Sequence, residues 1–377
     1  MKILLICSKS TVVVTFRKKL IEKLQALGHH VCVLTFDNEN EELIKSRGIE
    51  FHYFNDANRS INPFKLFTLK SRYAKAIKEI APDMVFTFML KPNIYGVQGA
   101  IKAGITNVYS MVEGTGDPFT YNTLKWKIIR MFVSHGYKKA FKLSKKVFFL
   151  NNDDKNEFVT RKLVKDEKCE IVHGIGIDLE RFTPQPIENK QTFLMIARLL
   201  KTKGIFEYCE AAKIVKEKYP NAIFNLLGPE GTTKAEDLKE YIDSGIINYL
   251  GETDDVRPFI KDSAVNVLPS YKEGLGLVNA EAGAMGRPQI TGDTNGTRDT
   301  VVDGYNGFLV PIKNSQAIAE KMIYFLENPD KIEEMGANAR KYAEEMFDQE
   351  VINEYICKVI GANKENAQEA SEFCQVQ

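Results

Sequence analysis

The stretch from Ser270 to Glu281 contains residue types that can hold a polar ligand. It has two carboxylates, Glu273 and Glu281, with a glycine-rich turn after the first. An apolar run at 264–268 and Pro269 precede it and a helix-like segment follows, so the pattern predicts a strand, a loop and a helix start. Parallel α/β sheets bind ligands at this position. The two acids could therefore grip different parts of one extended ligand; the alternative is two solvated glutamates, one on a loop and one on a helix surface.

A basic turn provides the second group of candidate residues. The apolar run 192–197 is followed by Arg198-Leu-Leu-Lys-Thr-Lys-Gly204 and then by a helical pattern, which places Arg198 and Lys203 at the C-terminal edge of a strand. An arginine fork and a lysine point charge, aided by helix N-terminal amides, can neutralise diphosphate oxygens. Such a turn can also be merely solvated, but the two acids two strand ends away favour a ligand site.

Apolar runs alternate with helical segments in both halves of the chain, which predicts two doubly wound α/β domains with parallel sheets. The predicted strands are 2–7, 30–36, 83–88, 107–112 and 145–150, then 192–197, 222–227, 246–250, 264–268, 288–290 and 307–310. The polar stretch 182–190, with two prolines, predicts a linker. We expect Rossmann-like domains over 1–182 and 191–345, and within 346–377 a helix that crosses back to the first domain, followed by a mobile tail.

Composition restricts the class of protein. The 377 residues are 44 % hydrophobic, enough to build the cores of a globular protein. The six cysteines form no Cys-x-x-Cys pair and the five histidines lack metal-ligand spacing, so we expect a reduced cytosolic protein without structural zinc. No segment has the apolar length of a signal peptide or membrane span. The first loop, 8–15, lacks glycine, which excludes a dinucleotide-binding fingerprint there.

The charge is distributed unevenly along the chain. Residues 1–180 hold 29 Lys and Arg against 19 Asp and Glu, whereas 181–377 hold 22 against 31. No acid occurs between Asp117 and Asp153, where eight basic residues are interleaved with Trp126, Ile128, Ile129, Phe132, Tyr137 and Phe141. This pattern predicts an amphipathic surface at 124–146 that binds an anionic membrane; the alternative is a core-packed helix with a solvated basic face. No nucleic-acid-binding motif accompanies the charge, so we do not expect nucleic acid as a partner.

The order of these features resembles the retaining nucleotide-sugar glycosyltransferases of family 4, which have the two-domain GT-B fold. The matching segments are Gly174-Ile-Gly-Ile-Asp178, Ala197-Arg198 with Lys203-Gly204, Leu227-Gly228-Pro229, Leu250-Gly251, Leu268-Pro269-Ser270 with Glu273-Gly274 and Glu281-Ala282, Gly286-x-Pro288, and Asn306-Gly307-x-Leu309-Val310-Pro311. The resemblance implies that Arg198 and Lys203 bind the donor diphosphate. It assigns the ribose hydroxyls to Glu281 and the transferred sugar to Glu273. It further implies donor contacts from Gly228, Pro229, Gly274, Leu275, Gly276 and Leu277.

Two segments depart from the family pattern. Where the family often has Gly-Gly-x-x-Glu, this chain has Asn295-Gly-Thr-Arg-Asp299, so the role of Asp299 stays open. Where it often has His-Gly, this chain has Val112-Glu113-Gly114, which is similar to bacterial members that add N-acetylgalactosamine or related hexoses to lipid-linked oligosaccharides. Glu113 is thus a candidate for contacting the donor sugar or positioning the acceptor hydroxyl; the alternative is a loop acid that caps the next helix.

The resemblance implies a retaining hexosyltransferase at the inner face of the cell membrane. Its expected partners are a UDP-sugar, with UDP-N-acetylgalactosamine favoured, and a polyprenyl-diphosphate-linked glycan acceptor. The sequence contains no Asp-x-Asp triplet, so we expect Arg198 and Lys203 to replace a metal ion and expect no cofactor. Two rivals stay open: a UDP-sugar 2-epimerase of the same fold, and a non-catalytic, membrane-associated sugar-nucleotide binder.

Overall fold

The computed structural model describes residues 1–54, 63–120 and 123–363, with the backbone alone at 63–67, 117 and 120. The chain forms two compact units. The first comprises Met1–Ile175 with the described residues from Glu350 onward, and the second comprises Gly176–Gln349. The segment 182–190, predicted as a linker, lies within the second unit. Most of the predicted mobile tail, from 364 on, lies outside the described residues.

The first unit contains a parallel sheet in the order β3-β2-β1-β4-β5-β6-β7. Its strands are β1 (Lys2–Ile6), β2 (His30–Thr35), β3 (Glu50–Tyr53), β4 (Met84–Phe88), β5 (Val108–Val112), β6 (Val147–Phe149) and β7 (Cys169–Ile171). The central strands are covered on both faces, which explains why their sequences are continuous apolar runs. The edge strands β3 and β7 are only partly buried and carry polar residues, so the search for apolar runs missed both.

Helices cover both faces of this sheet. They are α1 (Ser10–Val14), α2 (Lys18–Ala26), α3 (Glu41–Ser46), α4 (Pro63–Ile80), α5 (Val97–Lys102), α6 (Asp117–Thr120), α7 (Leu124–Leu143), α8 (Asn152–Thr160) and, at the end of the chain, α15 (Gln349–Val359). Helix α1 lies inside the stretch 8–15, which we predicted to be a loop. Helix α15 packs on the first sheet through Ile352 and Ile356, in one core with residues of β1 and β2.

The second unit contains a smaller parallel sheet in the order β10-β9-β8-β11-β12-β13. Its strands are β8 (Thr192–Ile196), β9 (Ile223–Leu227), β10 (Asn248–Tyr249), β11 (Val265–Leu268), β12 (Gln289–Gly292) and β13 (Gly307–Val310), and its helices are α9 (Ile205–Lys218), α10 (Lys239–Asp243), α11 (Arg257–Lys261), α12 (Leu277–Ala284), α13 (Ser315–Glu327) and α14 (Pro329–Met346). The predicted fold class, with a parallel α/β sheet in each unit, is confirmed.

The strand order reverses between β8 and β11 in this second sheet. The crossovers on the two sides of a reversal leave the carboxyl ends of the adjacent strands uncovered, and ligands bind in the resulting crevice. Arg198 and Lys203 follow β8 in the sequence, and Glu273 follows β11. The topology therefore brings both groups of candidate residues to the same crevice.

Arg287 fixes the segment that we predicted to be a linker. Its side chain is fully buried, and its guanidinium donates hydrogen bonds to the carbonyl oxygens of Ile260 (3.1 Å), Ser263 (2.9 Å), Gln185 (2.5 Å), Met285 (2.8 Å), Pro186 (3.0 Å) and Lys261 (2.8 Å). Burial lowers the pKa of Arg287 to about 10. The buried charge is tolerated because carbonyl oxygens surround it, and they hold residues 185–186 against the second unit.

We expect Arg287→Lys to lower the free energy of unfolding of the second unit by about 2–4 kcal/mol, because an ammonium has fewer donors and leaves buried carbonyls unsatisfied. Urea unfolding measures this effect. Arg298→Lys is the control, since Arg298 lies at the surface and contacts Asp293 at 2.9 Å. Equal losses in the two variants would show that the carbonyl cage contributes nothing beyond a surface arginine.

Candidate functional site

A pocket of about 360 Å³ lies at the strand-order reversal in the second unit. Its lining residues come from the ends of β8, β9 and β11, from the segment before α11 and from the start of α12: Ile196, Ala197, Arg198, Lys203, Leu227, Gly228, Pro229, Thr253, Val256, Leu268, Glu273, Gly276, Leu277 and Val278. Arg198, Lys203, Glu273, Gly228, Pro229, Gly276 and Leu277 are among the residues singled out from the sequence. The structure thus brings most of the predicted site together.

Two glycines allow the loops at this edge to approach each other. Gly228 has a φ of +145°, and a Cβ there would lie 2.1 Å from the carbonyl oxygen of Ala197. Gly204 has a φ of +75°, and its Cβ would lie 2.4 Å from the carbonyl oxygen of Pro269. Both approaches are too close for any side chain. The turn after β8 can therefore pack directly on the loops after β9 and β11.

Lys203 and Glu273 form an ion pair across the ends of β8 and β11. Their side chains are 25 % and 15 % exposed, so the pair is partly shielded from water but open to a ligand. Arg198 is exposed at the same pocket. A ligand with a negative charge can bind both cations, and its arrival releases the Glu273 carboxylate to accept hydrogen bonds from hydroxyl groups.

The loop that carries Glu273 is held by contacts that the sequence did not reveal. The Tyr271 hydroxyl donates to Glu207 Oε1 on α9 at 2.5 Å, and the Tyr271 amide donates to the carbonyl of Thr202 at 2.9 Å. Burial, and then the hydrogen bond to Glu207, raise the pKa of Tyr271, so the phenol stays a donor. The Glu273 amide donates to the carbonyl of Asn295 at 3.2 Å. The acid is thus presented by a fixed loop.

Glu281 lies on α12, one turn beyond Val278, and does not line the pocket itself. Burial raises the pKa of its carboxyl group to about 7; Arg181 opposes this shift and Asp255 adds to it. Asp255 is itself bound by Arg257 through Nε at 2.8 Å and Nη2 at 2.6 Å. Glu281 therefore loses its proton less readily than an ordinary glutamate. It lies next to Val278, which lines the pocket.

Two predicted donor contacts, Gly274 and Leu275, and Asp299, whose role the sequence leaves open, lie outside the pocket lining. The Leu275 side chain is buried in an apolar cluster with Ala280 and Met285, so it supports the start of α12 and does not face the pocket. Neither Gly274 nor Asp299 lines the pocket. The backbone carbonyl of Asp299 accepts a hydrogen bond from the Tyr342 hydroxyl at 3.0 Å.

Glu113 belongs to the first unit, immediately after β5, where it forms an ion pair with Arg17. Arg17 is 2 % exposed, and its guanidinium lies 4.4 Å from the ring centre of Phe88. Burial lowers the pKa of Arg17 to about 10. Sequence reasoning missed this partner because it lies 96 positions away in the chain. The Glu113 carboxylate is therefore oriented by a buried cation.

Helix α7 shows two different surfaces along its length. The assignment of Tyr137 and Phe141 to the membrane surface is wrong, because both side chains pack in the core of the first unit. Nearer the start of α7, an apolar stripe is exposed: Leu124 (76 %), Ile128 (49 %), Met131 (62 %) and Phe132 (68 %). Lys125 and Lys127 are also exposed there. Within the described ranges, no helix has the length and apolar composition needed to span a membrane.

Two family models match the chain. The model for glycosyl transferases group 1 matches residues 177–342, and the glycosyl transferase 4-like model matches residues 2–146. Each match falls in a different unit, and the first includes every residue that lines the pocket.

The chain is similar to two enzymes whose acceptors carry a diphosphoundecaprenol group. The N,N'-diacetylbacillosaminyl-diphospho-undecaprenol alpha-1,3-N-acetylgalactosaminyltransferase of Campylobacter jejuni is 27 % identical over 358 residues, or 91 % of this chain and 94 % of that protein. The UDP-Gal:alpha-D-GlcNAc-diphosphoundecaprenol alpha-1,3-galactosyltransferase of Escherichia coli is 27 % identical over 66 % of this chain and 67 % of that protein.

A solved structure matches both units of the chain. Anabaena HepE in complex with UDP has a TM-score of 0.79 at 18 % identity, over 96 % of this chain and 100 % of that chain. This likeness concerns the fold. Together with the two family models, it confirms the resemblance found in the sequence: the chain belongs to the glycosyltransferases of the two-domain GT-B fold.

Proposed function

We propose that this glycosyltransferase transfers a hexose or N-acetylhexosamine, with N-acetylgalactosamine favoured, from a UDP-sugar to a polyprenyl-diphosphate-linked glycan in surface glycan biosynthesis. The observation that carries the proposal is the pocket in which Arg198, Lys203 and Glu273 meet at the strand-order reversal. The donor and acceptor classes are supported by the Campylobacter relative, which matches 91 % of the chain.

In the proposed complex, Arg198 and Lys203 bind the diphosphate of the donor. Lys203 then exchanges its ion pair with Glu273 for one with phosphate, and Glu273 accepts hydrogen bonds from the sugar hydroxyls. Glu281 binds the ribose hydroxyls, while backbone amides of Gly276 and Leu277 at the start of α12 contribute to phosphate binding. The fixed loop at Tyr271 holds Glu273 in place for this role.

The proposed reaction retains the configuration of the sugar. The bond between the anomeric carbon and the diphosphate breaks, the acceptor hydroxyl bonds to the same face, and its proton passes to a leaving phosphate oxygen. Arg198 and Lys203 stabilise the negative charge that develops on the diphosphate, so no metal ion is required. We further propose that Glu113, oriented by Arg17, contacts the sugar or the acceptor hydroxyl.

Incubation of the enzyme with UDP-N-acetylgalactosamine and an undecaprenyl-diphosphate-linked sugar tests the proposal against its rivals. Sugar recovered in the lipid fraction, with UDP released at equal rates in Mg²⁺ and in EDTA, supports metal-independent transfer. Isomerised donor without any lipid product would identify a 2-epimerase, and bound donor without turnover would identify a binding protein. The anomeric configuration of the product, read by NMR, tests retention.

We expect Lys203→Met to reduce the rate of transfer by about two to three orders of magnitude, because one cation that stabilises the leaving diphosphate is lost. Lys201→Met is the matched control: Lys201 lies in the same turn but is exposed and does not line the pocket. Steady-state kinetics on both variants measure the difference. Equal rates in the two variants would remove Lys203 from the mechanism.

Glu281 should make stability and donor binding depend on pH in opposite directions. Its folded pKa, about 7, lies above its ordinary value of 4.5, so its contribution to stability is complete below pH 4.5 and is lost as the pH rises through 7. We expect the wild type to lose at most about 3 kcal/mol relative to Glu281→Gln between pH 5 and 8. UDP affinity should rise more in the wild type than in Glu281→Gln over the same range, because the ionised carboxylate accepts ribose hydroxyls, whereas the second ionisation of the UDP phosphate affects both proteins.

Urea unfolding and UDP calorimetry at pH 5, 6, 7 and 8 measure the two effects. Glu320→Gln, on α13, serves as a control for the loss of a carboxylate elsewhere in the second unit. A Glu281→Gln variant that retains full UDP affinity at pH 8 would contradict the assignment of this residue to the ribose.

We also propose that the start of α7 binds the anionic surface of the inner membrane leaflet, where a polyprenyl-linked acceptor resides. The exposed side chains at 124, 128, 131 and 132 follow helical spacing and form one apolar stripe. Lys125 and Lys127 flank it, and each basic residue near an anionic leaflet contributes about 1 kcal/mol. The two features together match an interfacial helix.

We expect the enzyme to float with vesicles that contain phosphatidylglycerol and to float less with pure phosphatidylcholine or at high salt. The double variant Met131→Gln/Phe132→Gln should lose most of this binding, because it removes two of the four exposed side chains of the stripe. Leu43→Gln, an exposed apolar residue elsewhere in the first unit, is the control. Flotation that does not depend on anionic lipid, or that survives the double variant, would contradict the proposal.

A further inference from the structure

A cluster of metal-ligating side chains lies on one face of the first sheet, at β2 and β3. His30 and Cys32 are two residues apart on β2, and Glu50 and His52 are two residues apart on β3. Side chains at such spacing share a face of the sheet. The register pairs Cys32 directly with Glu50, so the four side chains meet on that shared face.

Contacts within the cluster converge on one carboxylate. Glu50 Oε2 lies 2.7 Å from His30 Nε2 and 3.4 Å from Cys32 Sγ, while Glu50 Oε1 lies 2.8 Å from His52 Nε2. The ligating atoms of His30, Cys32 and Glu50 all lie within 4.8 Å of one another. Ligands bound to zinc at roughly 2.0–2.3 Å are separated by similar distances, so small side-chain movements suffice to form a site.

The surroundings allow an ion to enter. Cys32 is a buried free thiol at the floor of the cluster, whereas the His30 side chain at the rim is 55 % exposed. Imidazole, thiolate and carboxylate are the three ligand types that zinc prefers. An exposed rim leaves the fourth position of a tetrahedral ion to water.

Lys2 is the group that opposes a metal ion at this position. Its ammonium lies 3.0 Å from Glu50 Oε2, where it already neutralises the carboxylate that a metal ion would bind. The Lys2 side chain is partly exposed and can swing into solvent. Metal binding therefore displaces Lys2 and releases the thiol proton of Cys32.

We propose that His30, Cys32 and Glu50 bind a divalent ion of the zinc class, with His52 as the partner that holds the second oxygen of Glu50. Such second partners orient the ligands of metal sites. The ion would tie β3, a four-residue edge strand, to β2. The cluster lies in the first unit, and none of its residues lines the proposed donor pocket of the second.

Titration of the reduced, tag-free full chain with Co²⁺ tests the site, because a cobalt ion bound to a thiolate gives a charge-transfer band in the near ultraviolet. We expect one Co²⁺ per chain, loss of the band in Cys32→Ser, and displacement of Co²⁺ by Zn²⁺. His30→Gln should weaken binding at least tenfold without disturbing the core, since His30 lies at the surface. Lys2→Met should bind more tightly than the wild type.

Two control variants and three contrary results complete the test. Cys169→Ser and His135→Gln change the same residue types outside the cluster and should leave binding unchanged. The proposal is overturned if the wild type shows no saturable binding at one ion per chain. It is also overturned if the band persists in Cys32→Ser, or if the control variants weaken binding as much as the cluster variants do.

Discussion

The reversal of strand order between β8 and β11 is the constraint on which the pocket lined by Arg198, Lys203 and Glu273 depends. It leaves two neighbouring strand ends uncovered, and the chain fills this gap with a cation from one loop and an acid from the next. Without a ligand, the Lys203–Glu273 ion pair balances both charges. A ligand must therefore break this ion pair in order to bind Lys203. An anionic diphosphate can do so because it offers Lys203 a partner of higher charge, with Arg198 beside it.

Buried polar contacts give the pocket its rigidity. Asn279, on α12, accepts a hydrogen bond from Asn266 of β11 at 2.8 Å and donates to Thr291 of β12 at 3.0 Å and to Thr300 at 2.9 Å. Hydrogen bonds are strong in a buried polar network of this kind, although the Oδ1 atom of Asn266 has no partner among the protein atoms. The start of α12 is therefore locked to the strand ends that carry the site. Burial raises the pKa of Glu281, farther along the same helix, and the nearby Arg181 opposes this shift.

The sequence predicts central strands and charged loops well because each leaves a local pattern. Apolar runs mark strands covered on both faces, and the acids and cations that follow them lie at strand ends by simple connectivity. Pairings across the chain leave no such pattern: Arg17 meets Glu113 only because the turn after α1 and the end of β5 lie close together. For α7, helical spacing identified apolar residues but not the face that the sheet covers. Tyr137 and Phe141 are therefore buried where exposure was predicted, and the stripe that includes Met131 is exposed.

The donor pocket and the cluster at Glu50 show two ways in which a parallel sheet collects charged groups. At the strand ends, loops supply Arg198 and Lys203, so the charge of a diphosphate can be balanced by side chains alone. On the sheet face, strand register brings Glu50 and Cys32 together, and Lys2 neutralises the carboxylate. A site built from cations has no need of a metal ion, whereas a site built from acids, thiols and imidazoles attracts one. The proposed metal binding in the first unit and the proposed metal-independent transfer are thus consistent, because each is inferred from the charge that its own part of a sheet presents.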